Sequence, residues 1–184
     1  MRVSLKFGLA ALATLALAGP VFAESLDKLL HGGAMATTNA PPDPSHIPFS
    51  LPKDIKWTGS NGEYTAMLFG DPNKAGIYGQ LIRWEPGHNS KPHFHSQDRF
   101  IYVVSGTWWV SSSTHYDTNK MYPVPAGSKT EDVKNTVHWD GAKPATGPAL
   151  LLLVGEGPMH TTRLVPKDPS KPEEGQDFVP PPAK

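Results

Sequence analysis

The chain has 184 residues, with 17 basic and 17 acidic side chains and no cysteine. Its length fits one domain, and its balanced charge excludes the basic footprint that nucleic-acid backbones or anionic membranes require. Without cysteine there is no disulfide framework, thiolate zinc cluster, iron–sulfur site or cysteine nucleophile, so any metal must be held by nitrogen and oxygen donors.

Residues 1–23 read as a secretory signal peptide cut after Ala23. Arg2 and Lys6 precede an apolar run from Phe7 to Ala18, and Val21 and Ala23 are small residues where a signal peptidase reads. That run, about 12 residues, is shorter than the roughly 20 needed to span a bilayer, so no membrane anchor is expected. Removing Arg2 and Lys6 from 17 basic residues leaves 15 against 17 acidic, a formal charge of −2. The product is expected in the periplasm or secreted, with which the lack of cysteine is compatible.

Residues 24–54 read as an extended arm, with one short helical turn at 25–30 followed by a stretch rich in Gly, Ala, Thr and Pro. From Ile55 the pattern changes to short runs of Val, Ile, Tyr and Trp separated by turn residues. Strands are predicted at 63–69, 77–84, 93–104, 108–111, 122–124, 129–133, 137–139, 149–154 and 159–164. The 20 prolines, about twice ordinary usage, also favour strands and turns over a helical bundle. Residues 55–165 are therefore predicted to form an all-β sandwich or barrel. Residues 166–184, proline-rich and charged, are expected to be a loosely held tail. Trp84, Trp108, Trp109 and Trp139 are read as barrel core rather than pocket lining, because aromatic side chains bury large areas, with alternation sending one ring of Trp108-Trp109 inward and the other outward.

The densest chemistry is His93-Phe94-His95. On a strand, residues two apart share a face, so both imidazoles can converge on one ion while Phe94 packs on the other side. His88, His115 and His160 fall in loops or at strand ends and are expected to face solvent. No nucleophile elbow, H-E-x-x-H zinc motif, phosphate loop or dinucleotide fingerprint is present. Paired carboxylates such as Glu131-Asp132 point to opposite faces of a strand.

The pattern resembles the cupin superfamily. The first cupin motif runs glycine, five residues, H-x-H, three or four residues, Glu, six residues, Gly; Gly87, His93, His95 and Gly106 fall on its slots. The second runs glycine, five residues, P-x-G, two residues, His, three residues, Asn. Gly127 opens it and His138 takes the histidine slot, while Val133, Asn135 and Ala142 replace its Pro, Gly and Asn. Asn135 tolerates the left-handed conformation that glycine supplies. The largest departure is at the carboxylate slot, held by Arg99, a permanent cation that cannot ligate a metal.

The resemblance implies a single small double-stranded β-helix (jelly roll), a homodimer, and a divalent transition metal (Fe, Mn, Ni, Cu or Zn) on His93, His95 and His138. Three readings of the site follow. In one, the three histidines hold the metal without a carboxylate, and Arg99, as a catalytic residue, receives the acid group of a small anionic substrate. In the second, Gln97 shares the face of His93 and His95 and supplies a fourth ligand through its amide oxygen. In the third, the site is metal-free. The corresponding functions are a metal-dependent enzyme, dioxygenase-like or isomerase-like, and a non-catalytic periplasmic small-molecule binding or sensing module.

Overall fold

A computed structural model of the protein describes residues 48–182. The predicted signal peptide and residues 24–47 of the predicted arm lie outside them. A hairpin opens the fold: β1 (Thr58–Ser60) and β2 (Glu63–Phe69) meet over Asn61 and Gly62, whose φ angles of 53° and 79° are those a tight two-residue hairpin turn requires. Then follow β3 (Gly76–Trp84), β4 (His93–His95), β5 (Arg99–Ser105), β6 (Thr107–Ser111), β7 (His115–Tyr116), β8 (Tyr122–Pro125) and β9 (Lys129–Asp132). The chain ends with β10 (Trp139–Gly141), β11 (Ala149–Gly157), β12 (Thr161–Arg163), β13 (Val165–Pro166) and β14 (Gln176–Val179).

Six strands form one antiparallel sheet in the order β1-β2-β3-β11-β5-β9. The remaining ladders are β10-β6-β8, β12-β4 and β13-β14-β7. Alternation along β11 explains why a run of four leucines suits a central strand. Leu151 and Leu153 pack with Tyr78, Ile82, Trp84, Ile101, Val103 and Trp108 in the main core, whereas Leu150 and Leu152 pack on the opposite face with Ala66, Leu81, Ile55 and Trp57. The outer face is thus covered around Leu150 and Leu152, while Phe100 and Tyr102 of β5 stay exposed on it. Among the described residues no helix is long and apolar enough to cross a membrane.

Three differences from the predicted elements bear on the site. The segment predicted as one strand over 93–104 breaks at Ser96–Asp98, because the chain there leaves the β12–β4 ladder and joins the large sheet. Ser96 N–H donates to the His160 carbonyl at 3.0 Å, and Asp98 Oδ1 accepts from the Lys134 N–H at 2.7 Å, which fixes the bend. The Asp98 carboxylate is thereby committed to the backbone of the loop after β9. Second, β10 begins at Trp139, so His138 stands just before it, tied to His93 by two backbone hydrogen bonds of 2.9 Å. Third, the expected loose tail is partly a strand. β14 pairs with β7 and β13, and its Phe178, 3% exposed, completes a second core with Tyr116, Met121, Trp139 and Leu164. One aromatic side chain with a cavity to fill outweighs the polar composition around it.

The motif glycines Gly87, Gly106 and Gly127 all take positive φ. At Gly106, between β5 and β6, a Cβ would stand 2.0 Å from the Pro148 carbonyl oxygen, so no larger residue fits. Asn135 takes the left-handed conformation expected of it, with φ 59°.

Candidate metal centre

β4 supplies His93 and His95 on one face, while Phe94 between them packs into the second core. His138 arrives from the loop after β9. That loop turns on Asn135, whose N–H donates to the His95 carbonyl at 2.8 Å, so the third histidine is docked through backbone onto the strand that carries the other two. The three rings lie with centroids 4.5–5.1 Å apart. One nitrogen of each falls within 4.8 Å of the others.

Each ring is oriented by its other nitrogen. His93 Nδ1–H donates to the Lys91 carbonyl at 2.7 Å, and His138 Nδ1–H to the Thr136 carbonyl at 3.2 Å. His95 Nδ1 meets Thr161 Oγ1 at 2.9 Å, and that hydroxyl in turn points to the Met159 sulfur. Carbonyl oxygens only accept, so the proton sits on Nδ1 and the Nε2 lone pair is left for a metal. The Nε2 atoms of His95 and His138 are buried and have no hydrogen-bond partner. Orphaned buried nitrogens are rare in folded proteins. Three imidazoles with one nitrogen each within 4.8 Å of the others fit a divalent ion.

Burial lowers the pKa of His95 to about 2, helped by the charge of Arg99 and by the other two histidines. His93 is also pushed below the ordinary imidazole value, chiefly by burial. In the unfolded chain His95 titrates near 6.5, so between these limits unfolding takes up a proton and stability falls as the pH falls. The metal-free protein is expected to lose roughly 1.4 kcal/mol per pH unit from this group well below pH 6.5. Urea unfolding at pH 7.5 and 5 in the presence of a chelator should show a smaller drop in His95→Gln than in wild type. An equal drop would contradict the burial of the neutral ring.

A cavity of about 340 Å³ opens beside these histidines, lined by Glu63, Trp84, Lys91, Arg99, Asp140 and Arg163 among others. Its cations are unequally committed. Arg99 is buried and donates from Nη2 to Asp132 Oδ2 at 2.5 Å. Lys91 pairs with Glu173 at 2.9 Å and lies over the Tyr116 ring. The guanidinium of Arg163, opposite His93 in the β12–β4 register, makes no hydrogen bond or ion pair among the described residues. Gln97 lies in the bend after β4, where the period-two argument no longer applies, and it does not line the cavity. His88 and His160 are exposed; His115 is partly buried and pairs with Asp177, away from the site.

Sequence reasoning missed two acidic residues of this cavity. Asp140 is buried and accepts from Trp84 Nε1 at 3.0 Å, Trp108 Nε1 at 2.8 Å and Ser90 Oγ at 2.7 Å. The Glu63 carboxylate has no hydrogen-bond partner among the described residues. Burial, and then the charge of Asp140, raises its pKa above the ordinary carboxylate value, partly offset by Arg163 and Arg99. No sequence signal marks either residue, since their meeting depends on which strands become neighbours. A second cavity, about 400 Å³ and walled by Trp108, Val110, Tyr122 and Val137, reaches the centre from the side of His138 and Asp132.

Comparison with known proteins supports the architecture. No protein-family model matches the chain, and no curated protein is significantly similar to it in sequence. Among solved structures, an RmlC-like cupin protein from Ralstonia eutropha aligns with TM-score 0.50 and 21% identity, over 63% of this chain and 71% of that one. The polyketide cyclase RemF from Streptomyces resistomycificus aligns with TM-score 0.49 and 21% identity, over 66% of this chain and 91% of that one. At such identities the first of these likenesses shows the fold: the chain has the cupin fold, as its motifs indicated.

Proposed function

We propose that this cupin-fold protein is exported and binds one divalent transition metal through His93, His95 and His138, acting on a small anionic organic molecule held in the adjoining cavity. The observation that carries this reading is the convergence of three imidazoles whose Nδ1 atoms are all engaged elsewhere. The signal-peptide pattern of residues 1–23 supports export. When bound, the metal supplies Lewis acidity toward an oxygen of the substrate.

The remaining roles belong to side chains of the cavity. Arg99 is occupied by Asp132, so recognition of an acid group falls to Arg163, whose guanidinium suits planar bidentate contact. Glu63, its pKa raised by burial and by the charge of Asp140, is suited to exchange a proton at its carboxylate oxygens. A carboxyl so placed in the cavity that His93 and His95 line supports chemistry of the isomerase type over the dioxygenase type.

Titration of chelator-treated protein with Co²⁺ or Zn²⁺ is expected to reach one equivalent. Uptake below about a tenth of an equivalent overturns the assignment. With Co²⁺ bound, oxalate or malonate should perturb the visible spectrum, and Arg163→Gln should weaken that effect about tenfold, the loss of one charge-assisted contact. Equal anion affinity in the variant would remove Arg163 from substrate recognition.

A further inference from the structure

The cation in the carboxylate slot has a counterpart directly across the sheet. β5 and β9 pair with Arg99 opposite Asp132, and residues directly opposite in an antiparallel ladder share a face. Both side chains are about nine-tenths buried, and they are joined at 2.5 Å. The same oxygen, Asp132 Oδ2, lies 3.5 Å from His138 Nε2. Two donors bound at about 2.1 Å to a tetrahedral ion stand roughly 3.4 Å apart, so this separation admits one ion between the two. The donors that already lie within 4.8 Å of one another are those of the three histidines, so Asp132 would turn toward His93 and His95 on binding. Asp132 Oδ1 makes no hydrogen bond among the described residues, leaving the carboxylate further capacity to accept.

We propose that Asp132 is the fourth protein ligand of the metal, delivered from the strand next to the one on which Arg99 has displaced the carboxylate, and that Arg99 is the positioning residue that holds it. The inference rests on the three-histidine reading. The exchange moves the negative charge one strand sideways and keeps it at the centre. It also removes the difficulty of a lone buried cation beside a divalent ion, because the guanidinium charge is matched before the metal arrives. Asp132 and His138 stand at the two ends of the loop that turns on Asn135. The same backbone bond from Asn135 to His95 that docks His138 therefore also sets the height of Asp132.

Asp132→Asn keeps the shape and an oxygen for Arg99, so it should fold. It is expected to bind Co²⁺ about 10–100-fold more weakly than wild type. Removing a nearby negative charge alone would also weaken binding, so the deciding readout is the infrared difference spectrum between Zn²⁺-loaded and metal-free protein. Wild type should show the shift of one carboxylate antisymmetric stretch, and Asp132→Asn should show none. Should that variant fail to fold, the Arg99→Gln/Asp132→Asn double variant, which replaces the ion pair by a neutral amide pair, carries the same expectation. Metal uptake by wild type without a carboxylate shift, or a shift that persists in the asparagine variants, overturns the proposal and leaves the three histidines standing. Absence of metal uptake in wild type overturns both.

Discussion

His138→Ala is expected to weaken Zn²⁺ binding by roughly a thousandfold while leaving the fold intact. Zinc sites in small domains are worth on the order of 12 kcal/mol, and one ligand of three then carries about 4 kcal/mol, three factors of ten. The imidazole of His138 stands at the end of a loop, and what holds that loop is backbone: the two bonds to His93 and the one from Asn135 to His95. Alanine keeps all three. Calorimetric titration with Zn²⁺, alongside the thermal midpoint of the metal-free variant, separates the two effects. Wild-type affinity in the variant would mean that the meeting of the three rings serves packing and not coordination.

A second large effect is expected at a residue outside the three-histidine cluster. Asp140→Ala should destabilise the protein by about 4 kcal/mol, because two buried indole N–H groups lose their acceptor at roughly 1–3 kcal/mol each and Ser90 loses a third bond. Asp140→Asn keeps an oxygen where the indoles converge and should lose less than half of that. The difference decides between a role in shape and a role in charge. If asparagine proves as damaging as alanine in urea unfolding, the negative charge itself is needed to hold Trp84 and Trp108. Against a total stability of about 5–15 kcal/mol for a domain of this size, the alanine change brings the protein near its limit.

The strands and the three histidines were legible in the sequence for local reasons. Alternation, turn residues and the spacing of glycines are short-range signals, and the bounds of β2 agree with those predicted for it. Asn135 was legible because few residues other than glycine accept a left-handed backbone. Asp132 was not, because its importance lies in which residue of β5 it faces, and register between strands 33 residues apart leaves no local trace. Glu63 and Asp140 were hidden for the same reason: they share a cavity only because β2, β3 and β10 surround one interior. Phe178 was hidden by its surroundings, since prolines and charges on either side mask a single buried ring.

The place of β14 also bears on the order in which the molecule can be assembled. Trp139, wholly buried next to His138, rests in the cluster that Phe178 completes. Its neighbour in the chain is one of the three clustered imidazoles, yet its cover comes from β14, which follows β4 only after nine intervening strands. The imidazoles of β4 are therefore made well before the packing that steadies their partner, and the three-histidine cluster is held firmly only once β14 has docked.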